Sequence, residues 1–163
     1  MNVELNGPSP KRVITSFGIG WHRDAVEWKR HPELLGTRAS RVADFGPQEG
    51  IYVLYNSAGY LYVGISRAGI GGRLQQHVRK PWDRFTWFGF RDIDQKPNPS
   101  GICQLGQPVW KAAARQIRLK DVIRDFEGIL TRLPVKGENR AKSTLKHAEE
   151  WKQLKPRKTR STK

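Results

Sequence analysis

Two β-rich runs separated by a turn of small residues constrain this chain more than any other feature. Gly50-Ile51-Tyr52-Val53-Leu54-Tyr55 and Tyr60-Leu61-Tyr62-Val63-Gly64 flank Ser57-Ala58-Gly59. β-Branched and aromatic side chains suit a pleated, half-buried surface, so the pattern predicts a hairpin. Gly59 fits the left-handed position that closes a three-residue loop. A loop of that length pairs Tyr55 with Leu61 and Leu54 with Tyr62. Tyr52 and Tyr62 then lie on one face as diagonal neighbours, roughly 7–8 Å apart. A loop one residue longer or shorter would put the phenols on opposite faces. After the break at Gly69, Gly71 and Gly72, a helix is predicted to about Lys80. In it Leu74 and Val78 form an apolar pair, while Arg73 and His77 form a polar stripe about 100° away.

The bulk properties set the limits. A chain of 163 residues suffices for one domain with a genuine core. The net charge of +15 and a pI near 10.5 favour a polyanionic partner such as nucleic acid, although a ribosomal or merely basic protein has the same balance. Cys103 is the only cysteine, which excludes a disulfide framework and a thiolate zinc site. The histidines at 22, 31, 77 and 147 show no zinc spacing. No leader peptide and no long apolar run is present, so a soluble cytoplasmic protein without a membrane partner is expected.

Residues 1–15 carry little periodicity and are expected to be loosely ordered. A helix is predicted from His22 to His31, stopped at Gly36, with Trp21, Val26 and Trp28 packed on the sheet rather than stacked on bases. Gly46-Pro47 breaks the chain before the hairpin. Aromatics and threonine predict a third strand over 84–91, with Trp82 and Arg84 at its mouth as candidate nucleic-acid contacts. Residues 92–109, rich in proline and glycine, read as a long loop, and Trp110–Arg118 shows no clear face. Asp121 suits the N-cap of a helix from Val122 to about Arg132. Val122, Ile123, Phe126, Ile129, Leu130 and Leu133 fill one arc of it. Glu127 sits on the flank of that arc, where a carboxylate reaches a cleft, whereas Asp125 points away. Pro134 ends the helix and Asn139 follows on a turn. A last short helix is predicted to hold Leu145, Trp151 and Leu154, ahead of a basic run, Lys155–Lys163, that adds sequence-independent phosphate attraction.

Gly50-Ile51-Tyr52, Tyr62-Val63-Gly64 ten positions on, Arg73 followed by His77, then Glu127 and Asn139 resemble the GIY-YIG endonucleases. The resemblance covers about residues 48–140. It implies an α/β (α+β) fold, a small three-stranded antiparallel sheet flanked by helices. The chain then divides into an N-terminal extension, 1–46, with one short helix packed on the core; a nuclease domain, 47–141; and a C-terminal helix and basic tail, 142–163. The implied activity is metal-dependent hydrolysis of DNA phosphodiester bonds, by a monomer or transient dimer acting on double-stranded DNA. Glu127 would be the protein's ligand to a single Mg²⁺ or Mn²⁺, which takes its other ligands from water and substrate phosphate. Arg73 would hold the nonbridging oxygens. Tyr52 or Tyr62 would take or relay the proton of the attacking water, and a base role needs a pKa lowered from about 10 by a nearby cation. His77 would orient a tyrosine or the water, and Asn139 would support the metal ligand or position a phosphate. One departure is Ile65, where the family often has lysine. The alternative is a catalytically inactive nucleic-acid-binding module that has kept the fold.

Overall fold

Arg84-Phe85-Thr86-Trp87-Phe88-Gly89 forms a strand, β6, as its composition predicts, and every residue of it after Arg84 is buried. A strand buried on both faces needs a neighbour on each edge and cover on each side. Both are supplied in the computed structural model, which describes residues 13–109, 125, 126, 128, 129, 132, 133, 145 and 148–155. β4 (Gly50–Tyr55) and β1 (Ser16–His22) pair antiparallel with β6 on its two edges. Beyond them lie β5 (Leu61–Ser66), antiparallel to β4, and β9 (Glu149–Glu150), parallel to β1. The order of this first sheet is β5-β4-β6-β1-β9. A seven-residue helix, α1 (Ile70–Gln76), connects β5 to β6.

A second sheet has the order β10-β2-β3-β8-β7, built from β2 (Leu35–Arg38), β3 (Arg41–Asp44), β7 (Arg91–Pro97), β8 (Cys103–Pro108) and β10 (Lys152–Gln153). One core lies between the sheets. Trp21, Tyr52, Leu54, Phe85 and Trp87 of the first meet Ala43, Ile93 and Cys103 of the second, with Phe45, Trp151 and the α1 residues Ile70 and Leu74. On the other face of the first sheet Ile14, Phe17, Phe88, Ile129 and Leu145 form a smaller cluster, with Ile51 and Phe90 packed against it.

This architecture corrects the expected fold class. The described chain is mostly β, with two five-stranded mixed sheets, and not an α/β domain with a small three-stranded sheet flanked by helices. The three expected strands are present and antiparallel, but segments on either side of 47–141 extend them: β1 enters beside β6, and β9 beside β1. The reason is tertiary. Ser16-Phe17-Gly18-Ile19-Gly20-Trp21 has no clean alternation, and Gly18 is required because a Cβ there would lie 2.4 Å from the indole nitrogens of both Trp21 and Trp87.

Four local expectations fail for related reasons. The helix predicted over His22–His31 is the end of β1 followed by one 3₁₀ turn, Arg23–Ala25. Gly36 is no helix stop but the middle of β2, where a Cβ would lie 2.8 Å from Trp21 and 2.9 Å from Phe45. The expected loop 92–109 is the β7–β8 hairpin, turned by Asn98, whose Oδ1 accepts from the Ser100 and Ile102 amides. β7 is an edge strand, the setting in which its closing Pro97 is tolerated. The C-terminal helix is replaced, over the described residues, by β9, Trp151 and β10, so that the chain steps from one sheet to the other at a fully buried indole. Of the tryptophans placed on the core, Trp21 is buried and Trp28 is 38% exposed. No helix among the described residues is long and apolar enough to cross a membrane.

Trp151 is therefore a core residue of both sheets. Trp151→Ala is expected to cost about 3–5 kcal/mol, the range for deleting a buried indole. Urea unfolding followed by circular dichroism checks this; a cost below 1 kcal/mol would show that the C-terminal strands are not integral.

Candidate active site

The hairpin forms in the register its loop dictates. Tyr55 pairs with Leu61 and Leu54 with Tyr62. The Asn56 amide donates to the Tyr60 carbonyl at 3.2 Å, leaving 57–59 as the loop, and Gly59 has φ +98°. Asn56 Oδ1 accepts from the amides of Ala58 and Tyr60, and its Nδ2 donates to the Pro81 carbonyl, which ties the turn to the start of β6.

Both glycines of the flanking motifs have steric causes. A Cβ on Gly50 would lie 1.9 Å from the Phe88 carbonyl oxygen, so β4 approaches β6 too closely for any side chain. Gly64 pairs directly with Tyr52, and a Cβ there would lie 2.4 Å from Tyr52 Cζ and Oη. The Tyr52 ring thus lies across the bare backbone of Gly64. That places it beside Tyr62, with ring centroids 6.1 Å apart.

α1 brings the imidazole. His77 is the residue that ends the helix, and its ring sits 4.4 Å from the Tyr62 ring and 6.0 Å from that of Tyr52. Tyr52 Oη and His77 Nε2 are 3.2 Å apart. The His77 carbonyl accepts from Trp82 Nε1 at 2.8 Å, and Trp82 is itself 1% exposed. Trp82 is therefore an anchor beneath the site and not a nucleic-acid contact; Arg84, expected beside it, is exposed at the start of β6. Arg23 holds the same loop from outside. Its guanidinium donates to the carbonyls of Val78, Lys80 and Trp82 and stacks 4.7 Å over the Trp82 ring. Arg73, one turn before His77, is exposed, and its Nη1 donates to Gln76 Oε1 at 2.9 Å.

Burial pushes the Tyr52 phenol up to about 12, with the charge and hydroxyl of Tyr62 adding to the rise and Arg73 opposing it. Burial also lowers the His77 pKa below its ordinary 6.5, helped by Arg73 and Lys80. Both shifts favour the neutral pair, in which the phenol donates to Nε2 when the ring proton sits on Nδ1 and accepts from Nε2–H in the other tautomer. Tyr52 is thus not the low-pKa tyrosine that a direct base requires, because desolvation outweighs the one nearby cation.

Tyr52, Tyr62, Arg73 and His77 are brought together from β4, β5 and α1. Glu127 and Asn139, and Asp121 with them, lie outside the described residues. The described neighbours of Glu127 stand on the other side of the first sheet: Ile129 packs in the cluster of Phe17 and Phe88, and Phe126 and Ile129 line a small apolar pocket with Ile51. Phe126, placed in the buried arc, is 54% exposed. Asp125, expected to point away, accepts from the Val13 and Ile14 amides at 2.9 and 3.1 Å. Ile65, at the departure from the motif, is 61% exposed.

The described residues do not by themselves fit a divalent ion. Two phenols, an imidazole and a guanidinium offer no carboxylate oxygen, which Mg²⁺ prefers, and the guanidinium repels the ion. Among the described residues no cluster of His, Cys, Asp or Glu is arranged to hold one. Sequence reasoning missed Trp82 and Arg23 as supports. Trp82 one turn past His77, beside Pro81, was the available signal, but its depth was not.

Gly64→Ala is expected to push the Tyr52 ring off its bed, costing about 1–3 kcal/mol as overpacking does and breaking the contact with His77. Urea unfolding and the histidine ring resonances check this; an unchanged His77 resonance would show that the phenol does not depend on Gly64. In comparisons with protein-family models, curated proteins and solved structures, none matches this chain.

Proposed function

We propose that this chain is a metal-dependent endonuclease that hydrolyses DNA phosphodiester bonds at the Tyr52–Tyr62–His77–Arg73 cluster, with a GIY-YIG type of chemistry. The observation that carries the reading is the packing of both motif tyrosines around one imidazole, with the phenol–imidazole hydrogen bond at 3.2 Å and Arg73 one helical turn away. The net charge of +15 supports a polyanionic substrate.

Arg73 forms planar, charge-assisted bonds to the nonbridging oxygens of the scissile phosphate and stabilises the charge that gathers there. Tyr62, 38% exposed, is the phenol that meets the attacking water. As the water oxygen bonds to phosphorus, its proton passes along the phenol pair to Nε2 of His77, in the tautomer with its ring proton on Nδ1. The P–O bond to the leaving oxygen breaks, and that oxygen takes a proton from solvent water. The relay never requires a free tyrosinate, which fits the raised pKa of Tyr52. A Mg²⁺ or Mn²⁺ bound to Glu127 would neutralise phosphoryl charge, with Asn139 as its support.

A second reading, a catalytically inactive nucleic-acid-binding module, is favoured by one observation: the described neighbours of Glu127 pack on the Ile51 face of the sheet, opposite Tyr52. Supercoiled plasmid, with and without Mg²⁺, decides between the readings. Metal-dependent nicking is expected, abolished by Glu127→Gln and reduced about 10²–10³-fold by Arg73→Ala, the cost of removing one charge-stabilising donor. Binding without cleavage under all conditions would establish the second reading.

His77 must be neutral to accept the relayed proton. Protonation blocks it, so activity falls as pH drops through the His77 pKa. Because that pKa is lowered, the acid limb of the rate profile should lie below 6.5. His77→Asn should remove the limb along with most activity; a limb above 6.5 would place the titrating group elsewhere.

A further inference from the structure

On the flank of α1 turned away from His77, a cleft of about 350 Å³ opens between the helix and the loops that join the second sheet to the first. Its lining includes Arg30, His31, Glu33, Asp44, Gly72 and Gln75. That volume lies within the range of small-ligand sites, roughly 300–1,000 Å³. The cleft wall is rigid. The Gly71 amide donates to the Gly46 carbonyl and the Ile70 amide to the Gln48 carbonyl, both at 2.9 Å. Gly72 belongs to the lining, and a Cβ there would meet no atom within 4 Å, so the position faces open space.

Asp44 gives the cleft its chemistry. Its Oδ1 accepts from the amides of Leu34 and Gly46, both at 2.8 Å, which fixes the carboxylate in place. Its Oδ2 accepts no hydrogen bond among the described residues. Glu33, the other carboxylate here, is engaged by Lys29 at 3.3 Å. Burial raises the Asp44 pKa above 3.8 despite the two amide donors, which marks a carboxylate short of solvent. Gln75, Arg30 and His31, all exposed, also line the cleft, and Arg30 brings a positive charge to it. Gly72, Arg73, Gln75 and Gln76 form one exposed side of α1, which carries Arg73 as well as the cleft residues Gly72 and Gln75.

We propose that this cleft receives a nucleobase carrying an exocyclic amino group, from the strand whose phosphate Arg73 holds, with Asp44 Oδ2 accepting from the amino group. A carboxylate accepts from the amino group of cytosine, and a glutamine amide pairs with either edge of adenine. Thymine has no amino group, and its one base donor, N3–H, stands between two carbonyl oxygens that repel a carboxylate in a partly desolvated site. Arg30 and His31 then face the neighbouring phosphate. The inference rests on the reading of Arg73 as a phosphate-binding group, but the base pocket is tested without cleavage.

The full chain, labelled with ¹⁵N, is titrated with dAMP, dCMP, dGMP and dTMP, with inorganic phosphate, and with a single-stranded tetranucleotide containing cytosine. The amides of Asp44 and Gly46, remote in sequence from Arg73, should shift with dAMP, dCMP and dGMP, and dTMP should bind at least about ten-fold more weakly, as for loss of one specific base contact. Phosphate alone should move amides beside Arg73 and Arg30 and leave those of Asp44 and Gly46 in place. The tetranucleotide should bind more tightly than dCMP; equal affinity would point to a free nucleotide as ligand and overturn the link to the strand. Gly72→Leu adds a bulky side chain to the cleft lining at an exposed helix position and should abolish the base-dependent shifts. Asp44→Asn keeps the Oδ1 acceptor and puts a donor at Oδ2, so it should erase the preference against dTMP. Circular dichroism verifies both folds, and Gly72→Leu suffices if Asp44→Asn misfolds. Equal shifts for all four nucleotides, or wild-type binding by Gly72→Leu, would overturn the proposal. Base-dependent shifts in a chain that never cleaves plasmid would overturn the endonuclease reading and leave the pocket standing.

Discussion

The packing of four aromatic residues between the two sheets holds the rest of the structure in place. Phe45 lies 4.3 Å from Trp87 and 5.1 Å from Trp151, and Trp21 lies 5.3 Å from Trp87. These rings come from β1, β6 and two of the chain crossings between the sheets, β3 to β4 and β9 to β10, so their burial fixes how the sheets sit on one another. Trp21 Nε1 donates to the Trp151 carbonyl, and the Arg41 guanidinium stacks 5.0 Å over the Trp151 ring while bonding Glu149. The indole nitrogens of Trp87 and Trp151 are buried without a hydrogen-bond partner among the described residues. Each such group costs about 1–3 kcal/mol, a cost that aromatic burial on this scale outweighs.

The phenol–imidazole cluster grows out of that core. Trp87 pairs with Tyr52 across β6 and β4, so the sheet that positions the indole positions the phenol. Trp82 holds the carbonyl of His77 and packs edge-on to Phe85, 6.0 Å away. Tyr52 and the backbone of His77 are therefore as rigid as the interior, while Tyr62 and Arg73 face solvent. This division explains the electrostatics. The same burial that orients Tyr52 raises its pKa, so the residue best placed to order the site is the one least suited to give up its proton alone.

Where the deciding contacts are local, the sequence was readable. The hairpin register followed from a three-residue loop, and the period of two then put both phenols on one face. Arg73 and His77 share a flank by the 3.6-residue period, although α1 stops at Gln76 instead of running to about Lys80 and leaves Val78 exposed. The central strand, β6, announced itself by composition. Reading failed where distant contacts decide. Gly36 looked like a helix stop because only the fold brings Trp21 and Phe45 against it. Residues 92–109 looked like a loop because an edge strand buries few of its side chains and tolerates proline. Asp125 looked solvent-facing because the amides of Val13 and Ile14, more than a hundred positions away, are what it caps.

By itself, then, the sequence determined the pieces: the hairpin and its register, the short helix with Arg73 and His77 on one flank, the central aromatic strand, and a charge of +15 suited to a polyanion. Only the tertiary structure decided how they are completed. It placed β1 and β9 on the first sheet, built a second sheet beneath α1, sank Trp82 under His77, and left Gly72 and Asp44 around a cleft. The physical reason is the range of the forces. Backbone propensity and side-chain period act over a few residues, whereas packing density and desolvation are set by whatever the folded chain brings near, and these sealed Tyr52 and left Tyr62 open.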